Sequence, residues 1–156
     1  GSATTNNKQQ TTSNLISLPY QPLDQIRFSL SAADLHIVSL GDNMSGIVHP
    51  CKIYGALSIG RPVLTLGPKE SYLSDIIKKE VRSQKSEVSQ ETDRAIGYAI
   101  QHGDVAGAVA ALTAAAGQTQ QKRAAIGQRA EQVATEQFDR EQLVNQFLRT
   151  VLNPRN

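Results

Sequence analysis

The sequence predicts an α/β fold, a parallel sheet flanked by helices. Short apolar, β-branched runs alternate with helical patterns along most of the chain. The run Leu35-His36-Ile37-Val38-Ser39-Leu40 is nearly continuous in apolar side chains, which suits a parallel strand buried on both faces. Such runs are followed by a loop and then by a helix, the order that right-handed βαβ crossovers produce.

Taken in order, Leu15-Ile16-Ser17-Leu18, closed by Pro19, reads as a first strand. Residues 22–33 read as a helix, because Leu23, Ile26, Phe28, Leu30 and Ala33 keep roughly helical spacing and Pro22 stands near the start. The strand over 35–40 leads into a loop over 41–49. A helix over 50–59 then opens at Pro50, with Gly60 placed to end it. Val63-Leu64-Thr65-Leu66 is a further strand, closed by Gly67-Pro68, and residues 72–79 form the next helix. Residues 80–94 carry almost no apolar side chains and read as a mobile loop. Ile96-Gly97-Tyr98-Ala99-Ile100 is a fourth, weaker strand. Asp104 is placed to N-cap an Ala-rich helix over 105–116, which Gly117 ends. Helices over 119–136 and 140–152 follow, the last with Asp139 and Gln142 in capping-box spacing. There is no internal repeat.

Composition narrows the function classes. The chain has 156 residues, 39% of them hydrophobic and 19% charged, enough for one domain with a real core. Aromatic residues make up only 4% and Trp is absent, which argues against stacking platforms for single-stranded nucleic acid. A net charge of +2 is too small to argue for nucleic acid or an anionic membrane. The single cysteine, Cys51, allows no disulfide within the chain and no Cys-rich metal site. No apolar run is long enough to span a bilayer, and the first residues lack the basic and apolar regions of a signal peptide. Gly1-Ser2 without Met reads as a tag remnant. Residues 1–14 read as that remnant plus a disordered lead-in, and 153–156 as a tail. The expectation is a piece cut from a longer protein, with residues 15–152 forming part of one domain.

In a parallel sheet, ligands sit outside the carboxyl ends of the strands. That directs attention to the loops 19–22, 41–50 and 67–71. The strongest local signal is Gly46-Ile47-Val48-His49-Pro50-Cys51-Lys52-Ile53-Tyr54-Gly55. A strand leads in, a glycine permits close backbone approach and a helix opens. A helix start presents free N–H groups that suit an anion. Lys52 in the first turn opposes the helix dipole, and a diphosphate between the two relieves the conflict. The plainer reading is a solvated lysine on an ordinary crossover helix.

The pattern also resembles a known family. Ala32-Ala33-Asp34-Leu35-His36-Ile37-Val38 is similar to a strand entry of GT-B glycosyltransferases, especially glycosyltransferase family 4. The stretch from Gly46 through Gly60-Arg61-Pro62-Val63-Leu64 resembles that family's donor-site segment, in the branch with a Pro-x-Lys helix start. Ser74-Asp75-Ile76-Ile77, Ile96-Gly97-Tyr98 and His102-Gly103-Asp104 resemble its later segments. The likeness spans residues 15–152. It implies a truncated, Rossmann-like C-terminal half of a GT-B enzyme that transfers sugar, with retention, from a UDP, GDP or ADP sugar to an unidentified acceptor, in glycan or polysaccharide synthesis. No metal or cofactor is implied. The catalytic residues and the acceptor-binding N-terminal domain are expected upstream, and the chain alone is expected to be inactive. A cytoplasmic location is expected, with any attachment to the membrane supplied by the missing part.

The resemblance assigns the donor diphosphate to Gly46, Ile47 and Lys52. Contacts to the donor sugar or nucleotide are assigned to Asp42, Asn43, Ser45, His49, Tyr20 and Gln21. Where the family has two acidic residues, this chain has Ser45 and Gly55, which puts ribose recognition in question. Other readings stand beside these. His49 either reaches a ligand or helps to cap the helix; Asp42 and Asn43 are equally well solvated loop residues. Glu70, Ser71 and Asp75 either touch the donor or support the next helix. His36 and His102 read as structural and Cys51 as a small core residue. The alternative function is a non-enzymatic nucleotide- or phosphate-binding module or an interaction domain.

Overall fold

The computed structural model describes Asn14, residues 16–83 and residues 95–152. It is an α/β fold, Rossmann-like, with an open three-stranded parallel sheet in the order β1-β2-β3. The strands are β1 (His36–Ser39), β2 (Val63–Gly67) and β3 (Gly97–Gln101). The helices are α1 (Ile26–Ser31), α2 (Lys52–Ser58), α3 (Tyr72–Ser83), α4 (Val105–Ala116), α5 (Gln120–Phe138) and α6 (Arg140–Leu152). Register is continuous across the sheet, with His36 opposite Val63 and Val63 opposite Gly97.

The parallel register sorts side chains onto two faces. Val38, Leu40 and Val63 join Ile53, Ala56 and Leu57 of α2, Leu73, Ile76 and Ile77 of α3, and Ala130 and Val133 of α5 in one core. Both crossover helices therefore serve one cluster, as successive crossovers running the same way across a sheet require. On the other face Leu64 is 1% exposed while its register partner Ile37 on the edge strand is 57% exposed. That face is covered at β2 and open at β1.

Local chemistry sets the ends of the elements. Gly60 follows α2 with φ 68°, the left-handed conformation a helix terminator needs. Its N–H donates to the Leu57 carbonyl at 2.9 Å and the Arg61 N–H donates to Ala56 at 3.0 Å, the paired bonds of a Schellman end. The Gly127 backbone on α5 packs directly against Gly60. Arg61 Nη2 donates to the Ser31 carbonyl at 2.7 Å and so closes α1. Asp104 caps α4 by accepting from the Gly107 N–H at 2.8 Å, as the sequence implies. Asp139 accepts from the Gln142 N–H at 2.9 Å, but the Gln142 side chain donates to Thr135 instead of returning to residue 139. Only half of the capping box forms.

Four expectations need correction. Residues 16–18 are not a strand. Ile16 and Leu18 are 81% and 69% exposed, and an apolar run that pairs with no strand among the described residues gains little by extending; Leu15 lies outside the described residues. The helix expected over 22–33 is a 3-10 turn, Leu23–Gln25, running into the shorter α1. α2 starts at Lys52, because Ile53 and Tyr54 bond back three residues to Pro50 and Cys51 in a tight opening turn. α3 continues to Ser83, past the expected loop boundary. The rest of that loop, 84–94, lies outside the described residues, as do residues 1–13 and 153–156. No helix among the described residues is long and apolar enough to cross a membrane.

Candidate functional site

Because all three strands are parallel, the segments that follow them emerge at one edge. Two contacts tie these segments together. His102 Nδ1, after β3, lies 2.8 Å from Asp42 Oδ1, after β1. Ser45 Oγ donates to the Glu70 carbonyl, after β2, at 3.4 Å. The expected ligand edge is thus assembled from residues 41–51, 68–71 and 102–104. Among the described residues no strand precedes the 19–22 segment. Tyr20 is 97% exposed and Gln21 donates to its own neighbour, the Pro19 carbonyl, at 2.9 Å. Neither makes a hydrogen bond to the edge loops among the described residues.

The loop after β1 is held by its own backbone. A 3-10 turn over Asp42–Met44 leads in, and the Met44 carbonyl then accepts from the N–H groups of Ile47 and Val48 at 3.1 and 3.0 Å. Ile47 therefore reaches a ligand through its amide only by giving up that bond. Gly46 adopts φ 79° and has open space where a side chain would stand, so its backbone is accessible. The amides of Gly46, Cys51 and Lys52 have no protein acceptor among the described residues. The side chain at Cys51 makes no cap, so the opening of α2 is not sealed. Lys52 is exposed and makes no ion pair among the described residues. Asn43 is exposed on the same loop.

His49 neither caps α2 nor stands alone. Its Nε2 is hydrogen bonded to the Tyr54 hydroxyl, which in turn lies 2.9 Å from the Tyr72 hydroxyl. The His49 and Tyr72 rings meet edge-on with centroids 4.3 Å apart, and Tyr54 packs on Phe138 at 4.7 Å. Burial first, and then the bond to Tyr72, raise the Tyr54 pKa well above the usual tyrosine range. Tyr54 is a neutral hydroxyl that fixes His49 and Tyr72, not a base. Cys51 is exposed, with Sγ 3.4 Å from the His49 carbonyl, so it is not a core residue; the tight turn after Pro50 carries it outward.

The start of α3 is self-contained. Ser71 and Ser74 exchange hydrogen bonds between side chain and N–H at 3.1 and 3.2 Å, and Lys78 Nζ donates to the Lys69 carbonyl at 2.7 Å. Ser71 thus supports the helix. Asp75 is exposed and its N–H donates to the Ser71 carbonyl at 2.9 Å. His36 is likewise structural, its Nε2 lying 3.0 Å from the Leu30 carbonyl. Gly55, where the resembled family has an acidic residue, faces α1: a Cβ there would lie 3.3 Å from Leu30 Cδ1.

Sequence reasoning missed His102, Tyr54 and Tyr72 as members of this edge. His102 was findable, since it directly follows the strand at 96–100 and every such loop opens on the same edge. No group of three or more His, Cys, Asp or Glu residues among those described is placed to hold a metal ion. In comparisons with known proteins, no family model, no curated protein and no solved structure matches this chain.

Proposed function

We propose that the carboxyl edge of this sheet binds the diphosphate of a nucleotide sugar, and that the chain is the donor-binding part of a retaining glycosyltransferase. The observation that carries this reading is that, among the described residues, the amides of Gly46, Cys51 and Lys52 have no protein acceptor and the Lys52 ammonium beside them makes no ion pair. Amides and a cation gathered at the end of a parallel strand suit an anionic group. The nearest acid on the loop, Asp42, is already paired with His102, which lowers its repulsion of a phosphate. α2 has only seven residues, so its dipole adds little, and the loop amides and Lys52 bear the weight.

Sugar transfer itself rests on the resemblance. In such a reaction the diphosphate leaves as the glycosidic bond breaks, and N–H groups and an ammonium stabilise the developing charge. On this reading the acceptor-binding half and further basic residues lie outside this chain, which alone transfers no sugar.

One observation favours a second reading, a nucleotide-binding module without transfer. Leu30 of α1 packs against Gly55, so the position of the family's ribose-binding carboxylate is occupied by helix packing.

Calorimetric titration with UDP, GDP and ADP, each against its nucleoside, separates the outcomes. The proposal expects a diphosphate to bind and its nucleoside to bind far more weakly. Equal affinity for both, or no binding of any diphosphate, contradicts it.

A further inference from the structure

A hollow of about 160 Å³ lies between the carboxyl ends of β2 and β3 and the first turn of α3. Thr65 and Ala99 form its floor, and Lys69, Ser71, Leu73 and Lys78 stand around it. The space follows from sequence. Thr65 and Ala99 are register partners on adjacent strands and share a face of the sheet. Both side chains are short, which leaves room beside α3. The hollow is smaller than the roughly 300–1,000 Å³ of ordinary small-molecule sites. It still exceeds many times the roughly 10–15 Å³ that one water needs, so a compact ion fits.

The groups around it are donors. The serine exchange uses the N–H groups of Ser71 and Ser74. It leaves the N–H groups of Tyr72 and Leu73 with no protein acceptor among the described residues. Ser71 Oγ accepts from the Ser74 N–H, but its own proton has no acceptor among the described residues. Ser71 is only 6% exposed, and a buried donor left over in this way calls for an acceptor from elsewhere. Lys78 Nζ donates to the Lys69 carbonyl at 2.7 Å, which uses one of the protons an ammonium carries. Neither Lys69 nor Lys78 makes an ion pair among the described residues. No Asp or Glu is among the described residues that line the hollow. Two ammonium groups, a buried hydroxyl and the amides that open a helix of 12 residues suit a compact anion of more than one charge.

We propose that this hollow binds a phosphate group, either as the free ion or as the head of a small ester. Gly46, Cys51 and Lys52 do not line it, so the proposal stands without the nucleotide-sugar reading.

Amide NMR titration of the full chain with inorganic phosphate at constant ionic strength tests the proposal, with chloride as the reference anion. Saturable shifts at Thr65, Leu73 and Ala99 are expected with phosphate and not with chloride. Lys69→Gln and Lys78→Gln should each weaken phosphate by about fivefold to tenfold, while Lys52→Ala leaves it unchanged. A parallel titration with methyl phosphate names the source, and either result supports the proposal. Binding as tight as that of inorganic phosphate assigns an ester head; much weaker binding assigns the free ion. Absence of saturable shifts at these residues, equal shifts with chloride, or affinity unchanged in both lysine variants overturns the proposal. Loss of phosphate binding in Lys52→Ala overturns it too, because the ion then sits at the loop after β1.

Discussion

His102 Nδ1 and Asp42 Oδ1 lie 2.8 Å apart although sixty residues separate them, and their contact bridges the two outer strands past the central one. The pair is solvent-facing, with side chains 35% and 65% exposed, so its value to stability is small, about 0–1 kcal/mol. Its effect on the loop is the larger one. His102→Ala should leave Tm within a few degrees of wild type yet weaken nucleoside diphosphate binding by about threefold to tenfold. Asp42→Asn in the same background should recover most of that loss, because the released carboxylate no longer repels phosphate. Calorimetry on the two variants checks this; unchanged affinity in His102→Ala contradicts it.

The buried serine exchange at the start of α3 is a stability element. Ser74→Ala removes the acceptor for the Ser71 N–H and the donor to the Lys69 and Ser71 carbonyls. Both serines are buried, so the freed backbone groups lose a close partner. Denaturant unfolding should show a loss of about 1–2 kcal/mol.

Gly127 decides how closely α5 approaches α2. Alanine in a helix interior is favoured over glycine by about 1 kcal/mol. Here an added methyl would overlap the Gly60 carbonyl oxygen, a backbone atom, and such overpacking costs about 1–3 kcal/mol. The steric term wins, so Gly127→Ala should lower stability in urea unfolding. A stabilised variant would show that the two backbones separate freely.

Two tyrosines set the response to alkali. Tyr54 and Tyr98 are both raised above the ordinary tyrosine value by burial. Their phenols stay protonated in the folded state while those of the unfolded chain ionise near pH 10. The unfolded state then binds fewer protons, so stability falls as pH rises above about 10 and is unaffected below it. Thermal unfolding from pH 8 to 11 should show that decline, and Tyr54→Phe should make it shallower. A slope that Tyr54→Phe leaves unchanged contradicts the assignment.

The order of elements after residue 20 was legible because local signals mark its boundaries. The buried run at 35–40, Gly60 at a helix end and Asp104 at a helix start each act through neighbours a few residues away. The strand expected at 15–18 failed because pairing is a long-range event that an apolar run alone does not report. The start of α2 shifted because Pro50-Cys51 make a tight turn that resembles a helix start in sequence. At the site, the loop after β1 was found from the general rule for parallel sheets. The Asp42–His102 contact, the packing of Gly55 on Leu30 and the His49–Tyr54–Tyr72 cluster were not, since each joins segments brought together only by the fold.

The central claim is that loop amides and Lys52 form an anion-binding edge. Amide NMR titration with UDP, GDP and ADP, on wild type and Lys52→Ala, tests it most directly. The account predicts saturable shifts at Gly46, Cys51 and Lys52 with one of the three, and affinity lowered about tenfold in Lys52→Ala, as the loss of a charge-assisted bond of about 1.5 kcal/mol implies. Shifts absent from residues 45–53 with every nucleotide would contradict it.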